Sequence, residues 1–205
     1  MACYVVLEPE SIKGIYETWA SCETAVRGVR GARYRKVNER ALAEQLLRGE
    51  GRKLEPGTYA FVDGNHMGGI GIVVVRRDGN GSTALNEIAT SVAERFADYA
   101  EHLDRLRNPL AELAAAHVVL RNTGDRVLTI VHDYQGVGAW IEGRWEAQDP
   151  VIARFVSSCQ ALIRERGLAI RFQWTNGHQS AAGSDEYATY NARADELATE
   201  AVNSR

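Results

Sequence analysis

Two apolar runs in this chain each lead into an aspartate, and that repetition constrains the fold more than any other feature. "YAFV", residues 59–62, runs into Asp63, and "VLTIVH", residues 127–132, runs into Asp133. Runs of this length and β-branched content suit strands buried on both faces. Helical patterns separate them. "NPLAELAAAHVVLRNTG" opens on Asn108 and Pro109 and is closed by Gly124, and "DPVIARFVSSCQALIRERG" starts at Asp149–Pro150 and stops at Gly167. "GIGIVVVRRDG" pairs naturally with the first run through a turn, "LAIRFQW" is a further strand, and "NARADELATEAV" is a last helix. Between residues 84 and 108 strand and helix patterns overlap. The order β-β-(β)-α-β-α-β-α implies a mixed sheet packed against helices.

A smaller unit precedes this one. "CYVVL" and "ARYRKV" read as strands. "TWASCETAVRG" reads as a helix opened by Thr18 and closed near Gly28, and "NERALAEQLLRG" as a helix capped by Asn38. The breaker-rich "GEGRKLEPG" that follows is the natural linker. The expected division is therefore a domain over residues 1–48, a linker over 49–57 and a second domain over 58–205.

Composition narrows the class. Hydrophobic content of 45% and charged content of 25% over 205 residues allow a real core. No apolar run approaches the length of a membrane span, and the N-terminus lacks the pattern of a signal peptide. Cys3, Cys22 and Cys159 show no metal-site spacing and cannot all pair, which fits a reducing cytoplasm. The net charge of -3 disfavours a general nucleic-acid binder, but charge is clustered: residues 27–40 hold six bases against one acid.

Taken singly, each carboxylate has an ordinary structural explanation. Asp63 and Asp133 end strands, Glu112 sits in the first turns of a helix where the dipole favours it, and Asp195 lies in a polar-faced helix. Gathered together they would repel unless divalent cations occupied the site, and an all-oxygen ligand set suits Mg²⁺ or Mn²⁺. Two such ions ~4 Å apart can clamp both oxygens of an in-line phosphoryl displacement.

The ordered set "FVDG", "NPLAELAAA", "TIVHDYQGV" and "NARADELATEA" resembles the type 1 ribonuclease H family over residues 58–205, and "DYQGVGAWIEGRWEAQDP" is especially like a bacterial subgroup in which "DYxG" precedes a Trp-rich turn. The resemblance implies a five-stranded mixed sheet flanked by helices, an α/β fold. It places the family's metal-binding carboxylates on Asp63, Glu112, Asp133 and Asp195, and its loop histidine on His178. "YVVLEPESIKGIYETWASCETAVRGVRGARYRKV" is similar to the small hybrid-binding (caulimovirus viroplasmin-like) domain found before some ribonucleases H. That match implies that Trp19 and Tyr34 pack against sugar or base while Arg35 and Lys36 meet phosphates. Asn108, economically an N-cap, falls where the family also touches nucleic acid. The sequence departs from the patterns at Asn65 and His66 after the Asp-Gly, at Leu7, Glu8 and Glu10 where bases are usual, and at Ala192 where many relatives carry Glu.

The implied activity is metal-dependent endonucleolytic hydrolysis of the RNA strand of an RNA/DNA hybrid, with two Mg²⁺ (or Mn²⁺ in their place), 5′-phosphate and 3′-hydroxyl products, and no membrane or obligate protein partner. The alternatives are a binding protein of the same fold without nuclease activity, a related metal-dependent DNA nuclease, and a hydrolase acting on no nucleic acid. His66, His102, His117 and His132 read as structural, Trp140 and Trp145 as turn or core packing, and Trp174 as core.

Overall fold

The structure is a computed structural model that describes residues 2–48, 51–175 and 185–203. It divides into two compact units, one holding the described residues up to Lys53 together with Asp185 and Glu186, the other the remainder from Leu54 onward.

In the smaller unit β1 (Cys3–Glu8) lies between β2 (Gly14–Tyr16) and β3 (Arg33–Val37), antiparallel to both. Two helices, α1 (Trp19–Val26) and α2 (Arg40–Leu47), complete it, and Cys3, Val5, Val37, Ala43 and Leu46 form its core. Thr18 caps α1 by accepting from the Ser21 N–H at 3.2 Å, as its sequence position suggests. Asn38 does not cap α2. The Ala43 N–H bonds to the Glu39 carbonyl, so the helix starts one residue later and Glu39 holds the cap position without a side-chain bond. The three residues of β2 are too few to show a period in the sequence.

The larger unit follows the expected order. β4 (Gly57–Gly64), β5 (Gly69–Asp78) and β6 (Gly81–Ser91) form an antiparallel meander. The ambiguous stretch resolves into β6, ended by a capping box between Ser91 and Glu94, and the short helix α3 (Val92–Arg95). Next come α4 (Leu103–Asn122), β7 (Val127–His132), α5 (Gly136–Ile141), α6 (Pro150–Arg166), β8 (Ala169–Trp174) and α7 (Glu186–Asn203). β7 and β8 join parallel to β4, giving the mixed order β6-β5-β4-β7-β8. α4 is interrupted at Arg107, at φ 45°, so its regular portion opens at Asn108 and Pro109. α6 matches expectation: Asp149 accepts from Val151 and Ile152, and Gly167 ends it in the left-handed region.

Strand alternation sorts the two faces of the sheet. Ala60 and Val62 join the core with α4 and α6, whereas Tyr59, Phe61 and Val131 pack with Tyr187, Ala194 and Leu197 of α7. Each fully buried large side chain, such as Phe61 or Leu110, contributes roughly 1.5–3 kcal/mol. Trp174 is not core. It closes the edge strand β8 and is 44% exposed.

Candidate active site

By the same alternation Asp63 follows Tyr59 and Phe61 on the α7 side, at the end of β4. Asp133 stands one residue beyond the end of β7, the parallel neighbour of β4. Glycines let both helices reach this edge. A Cβ on Gly64 would fall 2.3 Å from the Ala111 carbonyl carbon and 2.4 Å from the Glu112 nitrogen, so α4 can touch β4 only because residue 64 has no side chain. A Cβ on Gly71 would meet the Ala194 carbonyl oxygen at 1.9 Å, which fixes how closely α7 lies on β5. Asn65 ties the two elements together. Its Nδ2 donates to the Ala198 carbonyl at 2.9 Å, while its Oδ1 accepts from the Met67 and Gly69 N–H groups.

The result is a carboxylate cluster. Asp63, Glu112 and Asp133 offer oxygens that all lie within 4.8 Å of one another, and Asp195 lines the same cleft of about 550 Å³ with Asn108, His66 and Tyr134. Among the described residues lining it there is no lysine or arginine. Burial, then the charges of Asp133 and Asp195, push the Asp63 carboxyl up to about 7. Burial, then Asp133 and Asp63, raise Glu112 well above the ordinary range, although the Gly64 N–H pulls the other way. Glu112 is 2% exposed, and its Oε2 has no hydrogen-bond partner among the described residues. A buried carboxylate oxygen facing two other acids is an electrostatically incomplete arrangement. Divalent cations would complete it, since hard oxygen donors with open positions are their preferred ligands. The residues present therefore fit such ions.

The remaining sequence candidates divide. Asn108 lines the cleft. His178 lies outside the described residues. His66, read from sequence as structural, is instead exposed at the cleft's rim; its position in a Gly-rich turn directly after a strand-end Asp is the signal that could have found it. His132 is buried, its imidazole lowered in pKa mainly by that burial, and His117 bonds Ser158 at 2.9 Å; both are structural.

In the smaller unit Trp19 (41% exposed) and Tyr34 (45% exposed) present rings 5.6 Å apart, and Tyr4 extends the row at 5.4 Å from Trp19. Alternation along β3 puts exposed Lys36 on the same face as Tyr34 and turns Arg33 and Arg35 to the other. There Arg33 pairs with Glu8, and the nearly buried Arg35 guanidinium pairs with Asp185 at 3.0 Å.

Comparison with known proteins is consistent with both units. Residues 3–47 match the family model described as the Ribonuclease H1 N-terminal domain. Among solved structures, RNase H1 from the halophilic archaeon Halobacterium salinarum NRC-1 aligns at 22% identity, covering 72% of this chain and 98% of that one with a TM-score of 0.50. LC11-RNase H1, isolated from compost by a metagenomic approach, aligns at 21% identity over 73% of this chain and 98% of its own, with a TM-score of 0.52. The same LC11-RNase H1 in complex with an RNA/DNA hybrid aligns at 20% identity, 72% and 97% coverage and a TM-score of 0.51. None of the curated proteins compared matches the chain. The fold class is thus that of the ribonucleases H1: a mixed five-stranded sheet with flanking helices, preceded by a small three-stranded unit. This particular chain joins that fold to an N-terminal segment of the Ribonuclease H1 N-terminal domain type.

Proposed function

We propose that the protein is an endoribonuclease that hydrolyses the RNA strand of RNA/DNA hybrids, leaving 5′-phosphate and 3′-hydroxyl ends. The observation that carries this reading is the buried Glu112 carboxylate, whose Oε2 has no hydrogen-bond partner among the described residues, within 4.8 Å of the oxygens of Asp63 and Asp133. Asp63, Glu112, Asp133 and Asp195 would hold two Mg²⁺, with Mn²⁺ able to replace them. Bound there, the ions supply positive charge where a phosphodiester hydrolysis builds negative charge on its entering and leaving oxygens.

The chain's own groups do the rest. Asp63 and Asp133 are held by strand ends, so their carboxylates converge without a search through side-chain and loop conformations. Glu112 enters from α4 and, nearly fully buried, forms part of the inner wall of the cleft. His178 is the proposed proton donor to the departing 3′-oxygen, a role that an imidazole can fill. Asn108 and exposed His66 stand where the RNA strand would pass, and the 2′-hydroxyl identifies that strand.

The division of labour follows the two units. Residues 1–48 grip the hybrid by its backbone, 49–57 link, and 58–205 cut. Trp19, Tyr34 and Lys36 form the gripping surface, with stacking rings and an exposed ammonium group. Arg35 has Asp185 as its partner, so its proposed place is in holding the unit together. Among the described residues no helix is long and apolar enough to cross a membrane. Cys3, Cys22 and Cys159 are all free, which supports a reducing cytoplasmic setting. The reading is tested by incubating the full chain and Mg²⁺ with labelled RNA/DNA hybrid, DNA duplex and RNA duplex. Cleavage confined to the RNA of the hybrid is expected; an intact hybrid would sink the proposal.

A further inference from the structure

Asp133 has already left the sheet, yet its backbone is not free. The His132 carbonyl accepts the Thr175 N–H at 2.9 Å, the last rung between β7 and β8. One residue on, no strand partner remains, and the Asp133 carbonyl accepts the indole N–H of Trp174 at 2.8 Å. The Tyr134 carbonyl in turn accepts from Nδ1 of buried His132 at 3.0 Å. Three consecutive carbonyls, 132 to 134, are thus held by a backbone amide, an indole and an imidazole before α5 begins at Gly136.

Trp174 is the unusual member of this series. A tryptophan whose role was packing would be mostly covered, but this one closes an edge strand and stays 44% exposed. Its polar end is spent on the one peptide group that carries a cluster carboxylate. We propose that Trp174 is a positioning residue: its indole N–H extends the β7–β8 ladder by one bond and so fixes the peptide from which the Asp133 carboxylate projects into the cleft. This rests on the reading of that cleft as a site for divalent cations. Without the bond, the peptide between Asp133 and Tyr134 can rotate, and displacement of a reacting or ligating group by about 1 Å can cost ~100-fold in rate.

Trp174→Phe in the full chain keeps a ring of similar reach and removes the donor. Replacing Trp174 with benzothienylalanine, which puts sulfur in place of the indole N–H, preserves the shape almost entirely. In both variants Mn²⁺ affinity of the otherwise metal-free protein, read by electron paramagnetic resonance of free Mn²⁺, should fall about tenfold or more, the usual cost of losing a group that orients a ligand. On hybrid, kcat should fall by a similar factor with KM within about twofold, the split expected when ground-state binding is untouched. The melting temperature of the benzothienylalanine protein should stay at the wild-type value. Wild-type Mn²⁺ affinity in that protein would overturn the proposal, because a packing role alone survives the exchange of N–H for sulfur. A wild-type chain that binds Mn²⁺ but leaves the hybrid intact would overturn the proposed function instead, while the Mn²⁺ comparison still decides the role of Trp174.

Discussion

Asp185 and Glu112 are the most deeply buried carboxylates among the described residues, and their surroundings are opposite. Asp185 in the smaller unit is 1% exposed and accepts from Arg35 at 3.0 Å and Arg52 at 3.1 Å. Glu112 in the larger unit is 2% exposed and faces Asp63 and Asp133. A buried charge met by guanidinium groups needs nothing further and serves the fold. A buried carboxylate met by other carboxylates has no such compensation within the described chain, and it makes sense as half of a site whose other half is a cation. Burial alone does not separate structure from function; the sign of the neighbours does.

The comparison is sharpest at Glu112. Glu112→Gln should lower hybrid cleavage on the order of a thousandfold, about 4 kcal/mol of barrier, measured as kcat/KM with Mg²⁺. The same variant should melt no lower than wild type without metal, since one repelling charge is gone. Loss of stability with cleavage per folded molecule unchanged would place Glu112 in the same class as Asp185.

The pH dependence of the metal-free protein tests the cluster without substrate. Folded Asp63 keeps its proton to about pH 7, whereas an ordinary aspartate loses it near 3.8, so folding takes up a proton between those values. The resulting stability is fully present below about pH 4 and is lost as pH rises through 7. The whole change is on the order of 4 kcal/mol, since each tenfold change in proton affinity is worth about 1.4 kcal/mol. Glu112 titrates in the same direction. Thermal melts from pH 4 to 8 in chelator should fall along this window, and Mg²⁺ should restore stability at pH 8. A flat profile would show that burial and the neighbouring acids do not hold the proton on Asp63.

Asp185→Ala should act on stability alone. It leaves two guanidinium groups without their shared acceptor, which costs about 3 kcal/mol in chemical denaturation, while kcat per folded molecule should not change. A smaller effect is expected from Trp19→Ala: hybrid affinity should fall by about 1–2 kcal/mol, the contribution of one stacking platform, with kcat at saturation unchanged. Lys36→Ala should reduce the salt slope of hybrid binding by about one.

Much of this is legible in the amino-acid sequence alone. The strand runs before Asp63 and Asp133 are locally encoded, as are the caps at Thr18, Asp149 and Gly167, because each depends on neighbours a few residues away. What stays hidden depends on distance along the chain. Arg35 reads as a phosphate ligand, and nothing local in the sequence reveals that Asp185, 150 residues later, pairs with its guanidinium. Trp174 looks like core until the strand order places β8 at the edge. The glycines at 64 and 71 are visible as letters, but the helix backbones that require them are not. Stretches where two periods overlap, as between residues 84 and 108, are decided by tertiary packing, and the three-residue β2 is too short for any period to register.

On the proposed division, chemistry resides in the carboxylate cluster and grip in the aromatic face. Single-turnover cleavage of a labelled hybrid by saturating enzyme with Mg²⁺, run side by side on wild type, Asp133→Asn and Trp19→Ala, tests it most directly. Asp133→Asn is expected to bind the hybrid and leave it uncut, while Trp19→Ala, once saturated, cuts at the wild-type rate. Cleavage by Asp133→Asn at the wild-type rate would contradict the division.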